Sequence, residues 1–190
     1  MYPRLPGKSF AREVADRRGY PASMNEAILL YNRSLDYLGE GGHPRDYARA
    51  FALNAKAAEL LFPDAILAMG WFYVGGRGVA RDVPLAQHWY RRSARMGEPR
   101  AMFSLGQIAY AAGGYSDARR WFARAADHGH MRSLYWLGKL AWRGHGVPRD
   151  HAAAFTRFQC AARAHDPEAV RVLRYLSRRN RKAMRFTVTR

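Results

Sequence analysis

Hydrophobic positions between residues 63 and 98 fall into two stripes of helical spacing. The first stripe contains Ile66, Met69 and Tyr73, which recur at intervals of three and four positions. The second stripe runs through small and aromatic residues from Ala86 to Ala94. The run GGRG at 75–78 interrupts the pattern. Spacing of three to four positions indicates amphipathic helices, and clustered glycines indicate a turn, so this segment predicts a helix pair.

The same pattern returns 68 positions further along the chain. Residues that keep both identity and spacing are Gly70/Gly138, Gly76/Gly144, Gly78/Gly146, Val79/Val147, Asp82/Asp150, Ala86/Ala154 and Ala94/Ala162. A third copy lies between these two without the Gly-x-Gly-Val loop, and a weaker copy precedes them with Ser34 in place of the helix glycine. Self-similarity at such a period is typical of stacked helix pairs. It predicts an all-α protein with helix starts near 63, 83, 99, 117, 131, 150 and 167, and a first helix starting at Met24 behind a Ser23 capping box.

Small residues on both helices of a pair indicate close packing. Gly70 on the first helix and alanines on the second allow the two backbones to approach each other. We expect Tyr73 and Trp89 to fill the space between layers. Asp82 and Asp150 stand where a residue that caps the following helix would stand.

The combined arrangement resembles the Sel1-like repeat (SLR) family, relatives of the tetratricopeptide repeat. The second copy carries the resemblance through Met69, Gly70, Tyr73, Gly76, Gly78, Val79, Asp82, Ala86, Trp89, Ala94 and Gly97. The fourth copy departs from the pattern at Ala141, Arg157 and His165. The resemblance implies a right-handed α-solenoid of about four helix-turn-helix repeats that binds proteins or peptides on a concave surface, and it implies no catalytic residues.

These boundaries predict three parts of the chain. Residues 1–22 form an N-terminal arm that lies outside the repeats. The four repeats occupy 23–62, 63–98, 99–130 and 131–166. Residues 167–190 form a C-terminal capping helix and a basic tail. With 190 residues and 48% hydrophobic composition, one continuous core is sufficient.

Composition narrows the setting and the partner. Cys160 is the only cysteine and no signal peptide is apparent, which favours a reducing, cytoplasmic location. The longest apolar stretch, Ala65 to Val74, is shorter than the roughly 20 residues that a membrane span needs. The formal net charge is +17, and residues 63–190 hold 23 of the 32 basic side chains against eight acidic ones. Such a surface favours acidic partners, although an arginine-rich coding bias gives the same composition.

No constellation of reactive side chains appears in the sequence. The glycines at 75–78 follow a helix and not a strand, so they do not predict a phosphate-binding loop. The histidines at 128, 130, 145 and 151 lack cysteine or carboxylate partners at ligand spacing. We therefore predict no catalytic residue, no metal site and no cofactor, and we expect a protein that is not an enzyme.

A helical wheel predicts the partner-binding groove. If Ile66, Met69, Gly70 and Tyr73 face the core, then Asp64, Ala68, Trp71 and Phe72 face away from it. Applied to every copy, the wheel gives a concave groove with these residues: Trp71, Arg100, Gln107, Arg132, Trp136, Lys139, Arg143 and Tyr175. An alternative is that Trp71 and Trp136 are covered by neighbouring helices, as aromatic residues at helical spacing usually are.

Three classes of function stay open at this point. The first is a non-catalytic scaffold that binds an acidic, partly apolar peptide or protein segment in the groove. The second is binding of nucleic acid or another anionic surface through the basic C-terminal half, including the cations at 178–185. The third is an enzyme, which no residue pattern in the chain supports.

Overall fold

The computed structural model describes residues 21–40 and 45–187, with side chains described for 21–39 and 45–178. Within those ranges the chain forms nine α-helices and no strand. The helices are α1 (Ala22–Leu35), α2 (Tyr47–Glu59), α3 (Pro63–Gly75), α4 (Val83–Arg95), α5 (Pro99–Ala111), α6 (Tyr115–Asp127), α7 (Arg132–Arg143), α8 (His151–Arg163) and α9 (Pro167–Thr187). Most of the predicted N-terminal arm, 1–20, lies outside the described residues.

The helix starts agree with the sequence prediction to within about two residues. Proline occupies the first position of α3, α5 and α9, where its missing N–H removes no helical hydrogen bond. The predicted caps are also present. The carboxylates of Asp82 and Asp150 accept hydrogen bonds of 2.8 Å from the backbone N–H groups of Leu85 and Ala153.

The first helix begins earlier than its sequence predicts. The capping box at Ser23 is wrong, because α1 starts at Ala22 and Pro21 occupies the cap position without a side-chain hydrogen bond. Pro21 supplies the extended backbone that precedes the helix, with φ −55° and ψ 150°. A turn of π-helical type at Asp36–Glu40 follows α1, and Gly39 within it has a φ of 96°.

The chain divides inside α5 into two compact units, Met1–Ser104 and Leu105–Arg190. In the N-terminal unit, the core lies between α1, α2 and α3 and is built around buried Tyr31, Phe62, Ile66 and Phe72. In the C-terminal unit, one core cluster joins Ala141 of α7 to Ala154 and Phe158 of α8.

A glycine packed against an aromatic ring closes each of three helix pairs. A methyl group added at Gly70 would lie 2.6 Å from the ring of Tyr90. In the C-terminal unit, a methyl group added at Gly106 would lie 2.6 Å from Phe122, and one at Gly138 would lie 2.7 Å from Phe158. The ring against Gly70 is that of Tyr90, whereas Trp89, like Tyr73, is half-buried and packs against the core of the N-terminal unit.

The first copy has polar residues at the two positions that hold the glycine and the aromatic ring in the other copies. Ser34 occupies the glycine position and Asn54 occupies the ring position, and both are buried. The amide of Asn54 donates a 3.0 Å hydrogen bond to the carbonyl oxygen of Ala65, which ties α2 to the start of α3. Two buried polar side chains thus take the place of glycine and ring in the first repeat.

Each Gly-x-Gly-Val loop packs against the backbone of the preceding helix pair. Gly78 has a φ of 67°, and a side chain there would collide with the backbone at Tyr47. Gly146 has a φ of 69°, and a methyl group there would lie 2.7 Å from the carbonyl carbon of Tyr115. Both the positive φ and the close approach require glycine at these two positions.

Candidate functional site

The face of α3 that the helical wheel predicts to be exposed is buried instead. Asp64, Ala68 and Phe72 are buried, at 6%, 0% and 0% exposure. Nine of the thirteen residues of α3 are buried, so this helix is enclosed on nearly all sides. On a helix that is apolar all round, periodicity cannot show which residues face a partner.

Trp71 is half-buried and is covered from within the N-terminal unit. The guanidinium carbon of Arg77 lies 3.9 Å from the centre of its ring, and Arg77 also donates a 3.0 Å hydrogen bond to the carbonyl oxygen of Trp71. Tyr47 and Phe72 contact the same indole, with ring centres 6.4 and 5.2 Å away. These contacts match the alternative in which neighbours cover Trp71.

Arg100 forms two ion pairs inside the N-terminal unit. Its Nη2 lies 2.9 Å from Oδ1 of Asp64, and its Nε lies 2.7 Å from Oε1 of Glu98. Burial opposes the charge of Arg100, but its hydrogen bonds to Glu98 and Asp64 outweigh burial and raise the pKa of the guanidinium above its ordinary value. Burial raises the pKa of Asp64, and Arg100 only partly offsets this. The charge of Arg100 is therefore used to hold α5 to α3.

Trp136 in the C-terminal unit is half-buried in an aromatic cluster. Its ring stacks on Phe122 with centres 5.3 Å apart, and Tyr110 contacts it edge-on at 5.0 Å. The ammonium of Lys139 lies 4.5 Å from the centre of the Trp136 ring and 5.1 Å from that of Tyr110. The Lys139 ammonium therefore packs on the face of the Trp136 ring.

Lys139 and Arg143 form a pair of cations one turn apart on α7. The guanidinium of Arg143 donates a 3.3 Å hydrogen bond to the hydroxyl of Tyr110, and the Arg143 side chain is exposed. Burial lowers the pKa of Lys139, and the neighbouring charge of Arg143 lowers it further, whereas Glu168 acts in the opposite direction. A carboxylate placed between the two cations would relieve their repulsion.

These two cations lie at one side of a cavity of about 210 Å³ between α7, α8 and α9. The residues that line it are Tyr135, Lys139, Trp142, Arg143, Phe158, Val172, Tyr175 and Leu176. The α7 members are spaced four, three and one positions apart, so they share one face of that helix. The lining combines aromatic and aliphatic walls with two positive charges and no carboxylate.

Packing between the aromatic side chains fixes the walls. Phe158 contacts Tyr135 and Trp142 with ring centres 5.8 and 6.4 Å apart, and Trp142 lies 4.2 Å from the ring of His151. Phe158 is itself held against Gly138. Gly138, which lets α7 and α8 approach each other, therefore also positions Phe158 in the cavity lining.

Two carboxylates that act on the cavity residue Tyr135, those of Asp166 and Glu168, have arginine partners. Asp166 lies 3.6 Å from Arg132, and Glu168 lies 3.3 Å from Arg171. Burial raises the pKa of the Tyr135 hydroxyl, and the charges of Glu168 and Asp166 add to that effect. The two ion pairs partly offset this negative charge at the start of α9. Glu168 still acts on Lys139, but neither Asp166 nor Glu168 belongs to the cavity lining.

The structure brings together only three of the eight residues that the helical wheel predicted for the groove. Lys139, Arg143 and Tyr175 line one cavity, with Tyr175 61% exposed. Trp136 lies behind Lys139, Arg132 pairs with Asp166, and Gln107 is half-buried on α5. Tyr135, Trp142, Phe158 and Leu176 were missed, although the spacing of Tyr135, Lys139 and Trp142 marks a shared helix face.

The comparisons with known proteins agree with this architecture. The sequence profile described as Sel1 repeat matches residues 27–60, 63–98, 99–130 and 132–166, which is most of the chain. The chain belongs to the Sel1 repeat family. Sel1 repeat proteins are generally non-catalytic scaffolds for protein–protein interaction, and the fold is an all-α solenoid.

Two solved structures resemble this Sel1 repeat chain. One is a Sel1 repeat protein from Oxalobacter formigenes, with 26% identity and a TM-score of 0.71 over 85% of this chain and 68% of that one. The other is c5321, a protective antigen with an SLR fold from uropathogenic Escherichia coli strains, with 32% identity and a TM-score of 0.67 over 85% of this chain. The alignment spans only 34% of the c5321 chain.

No protein with a curated functional description matches this sequence. Among the described residues, none of the helices combines the length and apolar character that crossing a bilayer requires.

Proposed function

We propose that this Sel1 repeat protein is a non-catalytic scaffold whose C-terminal unit binds an acidic segment of a protein partner at the cavity between α7, α8 and α9. The observation that carries the proposal is the pair of cations, Lys139 and Arg143, at the side of an aromatic cavity whose lining holds no carboxylate. Aromatic and arginine side chains are common anchors of protein interfaces, and complementary charge sets the choice of partner.

The packing around the cations supports a role in binding. Lys139 is held between two aromatic rings and Arg143 is held by the Tyr110 hydroxyl, so both are partly ordered before a ligand arrives. Ordering in advance reduces the entropy lost on binding. Trp71 and Arg100 are left out of the proposed site because their own unit already engages them.

Reversal of the two cations tests the proposal. Lys139→Glu/Arg143→Glu should remove most acidic partners from a pull-down made in extracts of the native cell, because the variant places two carboxylates where the ligand's carboxylates would lie. The matched control is Arg119→Glu/Arg120→Glu, which makes the same change of charge at exposed positions on α6. Quantitative mass spectrometry should show partners lost from the first variant and kept by the second. Equal losses from both variants would mean that net charge, and not this site, attracts them.

Binding of nucleic acid is a second candidate function, because α9 exposes Arg171, Arg174 and Arg178 at spacings of three and four positions. The sequence continues with further cations at 179, 181, 182 and 185. Phosphate neutralisation gives a steep dependence of affinity on salt, with a log–log slope that grows with each phosphate contacted. A groove with an apolar anchor and two cations should give a shallow slope, so a salt titration separates the two functions.

A further inference from the structure

We propose that the cavity between α7, α8 and α9 accepts one aromatic side chain of the partner, and that Lys139 and Arg143 bind carboxylates that lie next to that residue in the partner's sequence. The ligand is then a short acidic segment with a single aromatic anchor. This inference rests on the proposed function and specifies the chemistry of its ligand.

The size of the cavity favours a single side chain. Its volume of about 210 Å³ lies below the roughly 300 Å³ at which pockets for drug-sized molecules begin. An aromatic ring buries a large apolar area within such a volume. The cavity therefore suits one residue of a longer segment better than it suits a free cofactor.

The lining favours an aromatic guest over an aliphatic one. Four of the eight lining residues are aromatic: Tyr135, Trp142, Phe158 and Tyr175. They come from three helices, and the ring of Phe158 is tilted by 42° from that of Tyr135 and by 48° from that of Trp142. A guest ring can make edge-to-face contacts with such walls, and each contact adds to the gain from burial.

The positions of the cations place the carboxylates close to the anchor. Lys139 and Arg143 are four residues apart on α7, which is about 6 Å along the helix axis. Both residues line the same cavity as the aromatic walls, while their charged ends lie against Trp136 and Tyr110 at its side. In the proposal, the carboxylates that bind them therefore belong to residues next to the guest and not to the guest itself. The opposite wall, formed by Val172, Tyr175 and Leu176 of α9, adds no charge to the lining.

A series of blocked heptapeptides tests the inference on the full chain by isothermal titration calorimetry. The reference peptide is acetyl-Gly-Asp-Asp-Phe-Asp-Asp-Gly-amide, and the others replace Phe by Leu or Ala, or every Asp by Lys. We expect the Ala peptide to bind at least about tenfold more weakly than the Phe peptide, because the buried ring is lost. The Leu peptide should fall between them, and the Lys peptide should not bind.

Three variants of the protein, one of them a control, locate the guest. Tyr175→Ala removes a wall that is 61% exposed, so the fold should persist while affinity for the Phe peptide falls. Phe155→Ala is the matched control, because Phe155 is 41% exposed on α8 and does not line the cavity. Val172→Trp should fill the cavity and abolish the preference for Phe over Ala, with its melting temperature measured alongside.

The outcomes separate this inference from the proposed function. Equal affinity for the Phe and Ala peptides, with both lost in Lys139→Glu/Arg143→Glu, would overturn the aromatic anchor and leave the acidic site standing. No binding of any acidic peptide by the wild-type chain would overturn both. Equal effects of Tyr175→Ala and Phe155→Ala would also overturn the anchor, because they would place the guest elsewhere.

Discussion

Gly70→Val should lower the free energy of unfolding by about 3 kcal/mol. Even the first carbon of the new side chain would lie 2.6 Å from the ring of Tyr90, well inside normal contact distance. Tyr90 is fully buried, so its ring has no free space into which to move. The helices α3 and α4 must therefore separate, and this separation also disturbs the layer that α2 packs against. Thermal unfolding followed by circular dichroism should show a melting temperature lower by roughly 6 °C or more.

Alanine substitutions provide the matched control for this packing effect. Gly114→Ala adds the same methyl group where the nearest atom, the carbonyl oxygen of Ala109, lies at 3.4 Å. It should change stability by less than about 0.5 kcal/mol, whereas Gly70→Ala should already be destabilising. In a Tyr90→Ala background, Gly70→Val should cost less than it does alone. An unchanged melting temperature for Gly70→Val would show that the close glycine–ring contact does not exist.

Arg100→Met should have an effect of similar size by leaving a buried carboxylate without its cation. The Asp64 side chain is 7% exposed and lies 2.9 Å from Arg100. Breaking a buried ion pair typically costs 3–5 kcal/mol, and we expect about 3 kcal/mol at pH 7 because Arg100 itself is 29% exposed. Chemical denaturation of the variant and the wild type at matched pH measures the difference.

The pH dependence of Arg100→Met has a definite sign. Burial already raises the folded-state pKa of Asp64, and loss of Arg100 should raise it further. At pH 7 the folded variant must either bury a charge or take up a proton that the unfolded chain does not hold, and both destabilise it. Below the unfolded pKa of 3.8, Asp64 is protonated in both states and this penalty disappears. The difference from wild type should therefore be larger at pH 7 than at pH 4.

A double variant distinguishes loss of the pair from loss of packing by the arginine stem. Arg100→Met/Asp64→Asn removes both charges and should recover most of the stability at pH 7. A difference from wild type that is equally large at both pH values, and that Asp64→Asn does not reduce, would show that the hydrocarbon part of Arg100 and not its charge holds α5 to α3.

Local signals explain why the helix boundaries could be predicted from the sequence. Pro63, Pro99 and Pro167 mark helix starts through the backbone alone, and Asp82 and Asp150 bond to N–H groups three residues away. Neither signal depends on distant parts of the chain. The glycines of the Gly-x-Gly-Val loops are local in the same sense, since their positive φ is fixed by the turn.

The surface assignments failed where burial depends on neighbouring helices. The helical wheel predicted that Asp64 and Phe72 of α3 are exposed. Both are buried, because neighbouring helices enclose α3 on nearly all sides. The ring against Gly70 belongs to Tyr90, a contact that helical periodicity alone did not identify. The cavity joins Trp142 of α7 to Tyr175 of α9, and no local pattern connects residues so far apart in sequence.

The five tryptophans give the most direct test of whether the cavity between α7, α8 and α9 binds an acidic segment. The full chain would be labelled with 5-fluorotryptophan, and its fluorine NMR resonances would be assigned by single Trp→Phe substitutions. On titration with the heptapeptide acetyl-Gly-Asp-Asp-Phe-Asp-Asp-Gly-amide, the resonance of Trp142 should shift most, because its indole lines the cavity. Trp136, which lies under Lys139, should shift less, and Trp71 and Trp89 in the N-terminal unit should not move. Binding that shifts Trp71 while Trp142 stays in place would contradict the account.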